Sequence, residues 1–328
     1  MVHLHTVADW FDIPKWLEGL PRAISVVISI HDMWHVTGGC FLYRGCDRYA
    51  NQTDPCNPCP ILRWPANRFL ARAAYSRKLR AYRSCGARMV ANSHWLAEIA
   101  GRSPIAQACG GVRVVPPGID TTVFKPQDRD RCRKHLDLPA DAFLIVTGGA
   151  SLNDANKNMP WLLEQLSHLP DLGGVVVLAF GEGAVPVPDR LDLRFTGGVR
   201  DRYDLARLFA AADIFVSASL METYGLTLVE SMACGTPVVA FCVGGIPEAA
   251  PDGQGAILCR PHDGAALIEA ITKLRNSPQL REELGAVAHE MADNRNVASS
   301  FANAFAQIYR ECVSSGQNAQ RNQPVLST

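Results

Sequence analysis

Residues 213–241 read DIFVSASLMETYGLTLVESMACGTPVVAF, and the order of residue types in this stretch decides the fold class. Asp213 to Ser217 is an apolar run of strand length. Gly225 permits a sharp turn, a helical stretch begins at about Leu226, Gly235 ends it, and Pro237 opens a second apolar run to Phe241. A strand, a helix and a strand, with the strands apolar throughout, is the repeating unit of a parallel sheet covered by helices on both faces.

The same alternation continues on either side. Short apolar runs recur at Leu144 to Gly149, Val175 to Phe180, Leu193 to Thr196 and Ala256 to Cys259, most of them separated by helix-length segments. Asp263 has the chemistry of a helix N-cap, and Ser277-Pro278 opens a further helix with proline in its first position. These signals predict a doubly wound α/β domain over 126–300. The first half reads as a strand end at Val2 to His5, a helix from Trp10 to Gly19 and a buried strand from Ile24 to Ile30. A basic helix, a strand at Arg88 to Ala91, a helix from Ser93 and a strand at Val112 to Val115 follow. Four strands are fewer than a self-standing doubly wound domain normally has, so the reading is of a partial domain over 1–125. Pro116 to Leu138 reads as the interdomain linker, 301–313 as a C-terminal helix and 314–328 as a disordered tail.

Composition narrows the function classes. The chain has 328 residues, and at about 150 residues per domain that is room for two. Thirty-two basic residues balance 32 acidic ones, which argues against a general nucleic-acid binder. The longest apolar runs fall far short of the about 18 residues of a spanning helix. No basic segment followed by an apolar one opens the chain, so the expectation is a cytoplasmic protein. Charge is uneven, however. From Pro55 to Ala97 there is no Asp or Glu, while Arg63, Arg68, Arg72, Arg77, Lys78, Arg80, Arg83 and Arg88 supply eight positive charges interleaved with Trp64, Phe69, Tyr75 and Tyr82. Segment 63–88 therefore reads either as a surface for a phosphorylated acceptor or for anionic lipid headgroups at the inner membrane face, or as a helix whose cations are simply solvated, since the arginines do not fall neatly on one face.

Four of the 11 cysteines, Cys40, Cys46, Cys56 and Cys59, lie within twenty residues. Cys56-Asn57-Pro58-Cys59 is a CxxC in a turn-forming context, and four thiolates can complete a tetrahedral structural zinc site. Buried thiols in a loop are the alternative. Cys234, Cys242 and Cys259 lie in or beside apolar runs and read as core residues.

Site chemistry concentrates at Glu222-Thr223-Tyr224-Gly225-Leu226-Thr227-Leu228-Val229-Glu230. Gly225 allows close backbone approach to a ligand, and the amides of a helix start near Leu226 favour a phosphate or a polarised oxygen. Two carboxylates at the carboxyl edge of a parallel sheet can accept hydrogen bonds from sugar hydroxyls. Glu230 sits in an otherwise apolar run, so its carboxylate needs a partner.

Glu222 with seven residues to Glu230, then SMACGTPVVA and Gly244-Gly245-Ile246-Pro247-Glu248, resembles the donor half of family-4 retaining glycosyltransferases. Pro117-Gly118-Ile119-Asp120-Thr121 with Phe124 and Pro126, Asn156-Lys157-Asn158, and Phe195-Thr196-Gly197-Gly198-Val199 fit the same pattern. In the first half His31-Asp32-Met33-Trp34, Thr37-Gly38-Gly39-Cys40 and Ala91-Asn92-Ser93-His94-Trp95-Leu96 resemble the polysaccharide-building branch. The resemblance implies a GT-B fold of two Rossmann-like domains, with the acceptor-side one lacking its first strands. The expectation is then that the isolated chain is either poorly soluble or paired with a partner chain completing that domain.

The resemblance also implies residue roles. Glu230 would hold the ribose hydroxyls of a nucleotide-diphosphate sugar, Glu222 would contact the transferred sugar, and Lys157 would neutralise the diphosphate. The segment Thr223, Tyr224, Gly225, Leu226 and Thr227 would cradle the donor, with Val199 lining it. His31 would hydrogen-bond the donor sugar and orient the acceptor. Relatives often place an arginine about six residues before the lysine, where this chain has Ser151. No convincing DxD motif is present, so a hexosyltransferase without a catalytic metal is expected, acting on a glycan or polyprenyl-linked acceptor. The alternative is a nucleotide-sugar-binding remnant or partner subunit without turnover.

Overall fold

The computed structural model describes residues 1–5, 12–21, 23–295 and 297–321, and divides them into two compact units. Unit 1 comprises residues 1–116 with 301–328, and unit 2 comprises 117–300.

Unit 1 contains β1 (Val2–Leu4), α1 (Ile13–Glu18), β2 (Val26–Ile30), α2 (Ala66–Cys85), β3 (Arg88–Ala91), α3 (His94–Gly101), α4 (Pro104–Ala108) and β4 (Val112–Val114). The strands form one parallel sheet in the order β1-β2-β3-β4. Successive strand residues face opposite sides, and the packing follows that alternation. Val26, Ile28, Ile30, Met89 and Ala91 belong to the core beneath α1 to α4, whereas Val27 and Val90 pack with Phe305, Ile308 and Cys312. Ser93 caps α3 by accepting the Leu96 amide at 3.0 Å. The expected helix from Trp10 begins at Ile13; Trp10 and Phe11 lie outside the described residues.

Unit 2 contains α5 (Arg129–His135), β5 (Phe143–Ser151), α6 (Met159–Ser167), β6 (Val175–Glu182), β7 (Asp192–Gly197), α7 (Arg202–Ala211), β8 (Ile214–Ser217), α8 (Leu226–Ala233), β9 (Val238–Phe241), α9 (Ile246–Ala249), β10 (Ala256–Cys259), α10 (Gly264–Asn276) and α11 (Pro278–Arg295). Its six parallel strands run β10-β9-β8-β5-β6-β7. Strand order therefore reverses between β5 and β8, the point at which doubly wound sheets open a ligand crevice at their carboxyl ends. Leu144 and Val146 enter one core layer while Phe143 and Ile145 enter the other, so helices cover both faces. All six strands expected from the sequence are present.

Three expectations are corrected here. The boundary falls at 116/117 rather than 125/126, because Ile119, Val123, Phe124 and Cys132 pack into the unit 2 core. The segment read as a linker is therefore part of unit 2. Its Asp128 caps α5, and Arg133 is buried with Nη2 donating to Asp213 at 2.7 Å. The C-terminal helix α12 spans Ala298–Arg321, extending beyond 301–313 into the expected tail; residues 322–328 lie outside the described set. From residue 301 onward it belongs to unit 1, whose second sheet face Phe305, Ile308 and Cys312 cover. Finally, Cys234 and Cys259 are buried as expected, but Cys242 is exposed.

Candidate functional site

The loops that follow β5 and β8 bring the charged residues of unit 2 together. After β5 the chain turns through residues 155–157, with Asp154 accepting the Asn156 amide at 2.9 Å. Asn156 then stitches this turn to the loop after β8: its carbonyl accepts Leu220 N–H at 2.8 Å, and its side-chain amide donates to Met221 O at 2.7 Å. The result places Lys157 Nζ 2.5 Å from Glu222 Oε1, both side chains about one-fifth exposed or less. A lysine and a glutamate separated by 65 residues thus form one charge-assisted pair at the switch point.

The segment 222–225 is held from its other side by Gly244 and Gly245. A Cβ on Gly244 would lie 1.9 Å from Glu222 O, and one on Gly245 would lie 2.2 Å from Thr223 O. The Gly245 amide donates to Glu222 O at 2.9 Å. The glycine pair is therefore needed for close approach. Tyr224 is buried in the core, Thr223 is half-buried, and Gly225 takes the left-handed conformation (φ 98°) that starts α8. Leu226 and Thr227 form the first turn of that helix, whose leading amides have no acceptor within the helix.

Glu230 lies one turn further along α8. Among the described residues, no hydrogen bond reaches its carboxylate, and burial pushes its pKa up to about 7, with Arg202 opposing the shift. Arg202 stands over the Phe124 ring, 5.7 Å from its centroid, and pairs with Asp120 at 3.6 Å. Neither Asn156 nor Arg202 was marked as functional by the sequence reading. Asn156 adjoins Lys157, but its bond to Met221 is invisible without the fold. Arg202 carried a signal only in its position just after Asp201, which caps α7. Val199 is half-buried against the same core as Glu230's helix, on the loop after β7. Ser151 accepts the Asn153 amide at 3.2 Å.

His31 follows directly on β2 in unit 1. Its Nε2 lies 2.9 Å from His5 Nδ1, and the two rings stack at 5.2 Å between centroids. Desolvation and then the neighbouring His5 depress its pKa. His3, bonded to Ser29 and Tyr309, is lowered to about 4, chiefly by burial. His35 is fully buried against Tyr82 at 2.7 Å and Asp32 accepts the Trp34 amide at 2.7 Å, so both act in the local structure.

The expected zinc site is not formed. Cys40, Cys46, Cys56 and Cys59 line one small cavity, yet no three His, Cys, Asp or Glu side chains among the described residues come together as a metal-holding group. The thiols favour the protonated form: burial raises Cys40 and pushes Cys56 up to about 11. Gly38 N–H donates to the Cys56 sulfur, and Cys56 and Cys59 sit among buried apolar neighbours while Cys40 and Cys46 are half-buried.

The comparisons with known proteins bear on the same elements. Residues 142–277 match the family described as glycosyl transferases group 1. The D-inositol 3-phosphate glycosyltransferase of Acidothermus cellulolyticus is 36% identical over 198 residues, covering 55% of this chain and 44% of that protein. Its counterpart from Catenulispora acidiphila is 34% identical over 222 residues, covering 63% and 53%. The chain spans about half the length of these curated relatives. Sucrose-phosphate synthase from Thermosynechococcus elongatus superposes with TM-score 0.65 at 22% identity, covering 92% of this chain and 70% of that one. HepE of Anabaena, solved with UDP and glucose, gives 0.64 at 19% identity, covering 87% and 71%. The fold is GT-B, built of Rossmann-like α/β units with parallel sheets, and the sequence similarity is to transferases of sugars.

Proposed function

We propose that this protein transfers a sugar from a nucleotide-diphosphate sugar to a glycan or lipid-linked acceptor, with retention of configuration and without a catalytic metal. The observation that carries this reading is Glu230. A half-buried carboxylate with no hydrogen bond from the described residues, its pKa pushed up to about 7 by burial, is completed by a ligand that brings hydroxyl donors, as the vicinal hydroxyls of a ribose do. Lys157, now answered by Glu222, is a point cation with three donors, suited to a diphosphate that gains charge as it leaves. When a phosphate draws Lys157 away, Glu222 is released to accept hydrogen bonds from the sugar. The α8 start at Gly225 to Thr227 adds backbone amides toward the same anion.

In the transfer itself the acceptor oxygen forms a bond to the anomeric carbon while the bond from that carbon to the phosphate oxygen breaks. On a same-face course the acceptor proton passes to the departing phosphate oxygen, so no protein carboxylate is needed as nucleophile. His31, held largely neutral by desolvation and by His5, is assigned to hydrogen-bonding the sugar and orienting the acceptor. The test is Glu230→Ala in calorimetric titrations with UDP-, GDP- and ADP-sugars. Loss of measurable binding is expected, and unchanged affinity for every nucleotide sugar the wild type binds would overturn the ribose assignment.

A second reading is favoured by the three-residue strand β1 at the edge of the unit 1 sheet. An open edge invites pairing, so a partner chain could complete that sheet and this chain would serve as its nucleotide-sugar-binding subunit. Binding without turnover by the purified chain, with turnover restored by a partner, would select it.

A further inference from the structure

We propose that the outward face of α2, with the loop entering it, docks on the surface of an anionic lipid bilayer. Five large apolar side chains stand open to solvent here: Trp64 is 76% exposed, Phe69 70%, Leu70 59%, Ile61 50% and Phe41 43%. Phe41, Ile61 and Leu70 also edge a cavity of about 390 Å³ that Leu42, Leu62 and Arg44 help to line. Rings and aliphatic groups left uncovered in this number mark an interaction surface rather than ordinary scatter.

The charges identify what the surface meets. α2 buries Ala71, Tyr75, Lys78, Ala81 and Tyr82, the positions at helical spacing along one side. Phe69, Arg72, Arg80 and Arg83 are exposed and cluster opposite that side, with Arg68 and Arg77 exposed at its two margins. Lys78, the one lysine of the helix, turns inward, where its ammonium lies 3.6 Å from the centroid of the Trp34 ring and donates to Thr37 O at 3.0 Å. With Arg63 on the entering turn, six exposed arginines lie on or beside α2. Among the described residues two carboxylates pair with it, Asp54 to Arg72 at 3.1 Å and Asp12 to Arg77 at 2.5 Å, and Glu18 lies within electrostatic reach of Arg77. Positive charge remains in excess on this surface.

Aromatic rings flanked by unanswered guanidinium groups match the two layers of a bilayer interface, where rings settle at the headgroup level and cations meet lipid phosphates. A soluble anion would need no such apolar border. A protein partner would have to bring carboxylates matched one by one to arginines spread over the whole helix.

The proposal goes beyond the sugar-transfer reading and is tested without it. The full chain is sedimented with vesicles of phosphatidylcholine containing phosphatidylglycerol, and with phosphatidylcholine alone. Binding to the anionic vesicles that weakens with salt is expected. Trp64→Ser with Phe69→Ser should lower that binding about tenfold or more, at an unchanged melting temperature because both side chains are exposed. Arg80→Ser with Arg83→Ser should lower it about tenfold and flatten the salt dependence. Absence of binding to anionic vesicles, or equal binding by wild type and both variants, would overturn the proposal. So would wild-type self-association that the Trp64/Phe69 variant abolishes without any vesicle binding, which would make the face a contact between copies.

Discussion

The two sheets share a parallel topology but finish their carboxyl ends with different chemistry. In unit 2 the loops after β5 and β8 carry a lysine and a carboxylate that answer each other, while Glu230 is left with burial and no donor among the described residues. In unit 1 the residues on and beside β1 and β2 are imidazoles, His3, His5 and His31, whose affinity for protons is lowered by burial and, for His3 and His31, also by the neighbouring imidazoles. One end is thus built to exchange charged partners, and the other to hold neutral hydrogen-bonding groups near physiological pH. The same backbone supports both because a Rossmann-like sheet specifies where its loops emerge and leaves their side chains free.

That contrast can be broken at several points. The largest effect is expected at Asp213, which is buried and accepts Arg133 Nη2 and the Leu144 amide, each at 2.7 Å, with Arg129 and Arg281 beside it at 3.3 Å. Asp213→Ala strands these cations, and denaturant unfolding should record a loss of about 3–5 kcal/mol. A loss below about 1 kcal/mol would mean that unit 2 does not depend on this hub.

Next comes Glu230. Its folded pKa of about 7 lies above the ordinary 4.5, so between those values the unfolded chain gives up a proton that the folded one keeps. Stability contributed by this group is full below pH 4.5, falls as pH rises through 7, and is level beyond, a change of up to about 3 kcal/mol. The difference in unfolding free energy between wild type and Glu230→Gln should carry that slope, and a pH-independent difference would contradict it. Nucleotide-sugar binding should strengthen over the same rise, because the ionised carboxylate is the better acceptor.

Gly244→Ala should follow. Its Cβ would meet Glu222 O at 1.9 Å in a backbone with φ 57°, and accommodating it should cost about 1–3 kcal/mol. Because Glu222 moves with that carbonyl, donor affinity should fall more than stability alone explains. A variant with wild-type affinity would separate the glycine from the site. The smallest effect is at His31: its NMR titration midpoint should lie below 6.5, and His5→Ala should move it upward. A midpoint indifferent to His5 would remove the coupling from the account of unit 1.

Much of this was legible in the order of residues. The apolar runs of unit 2 became its six strands because continuous apolarity is enough to mark a strand buried on both faces. The local placement of Glu222 before α8 and Glu230 within it could be read because both lie in a single turn and helix, where positions are set by local geometry. Other features depended on residues far apart in sequence. The segment 117–138 looked like a linker because prolines and charges dominate it, yet Arg133 finds Asp213 80 residues later and is buried by it. The four cysteines had plausible spacing, but spacing does not aim thiols at a common point, and the loop directs them around a small apolar cavity instead.

The residue order by itself determined the parallel α/β class, the two-part organisation and the two acidic positions, since these follow from local periodicity and from glycine and proline punctuation. Only the tertiary structure decided that Lys157 meets Glu222, that Glu230 meets no donor among the described residues, and that Arg72, Arg80 and Arg83 face outward from α2 while Lys78 turns inward. The reason is physical. Periodicity reports which side of an element is apolar, but the partner of a charge and its exposure to water are set by what folds against it, and no local pattern encodes that.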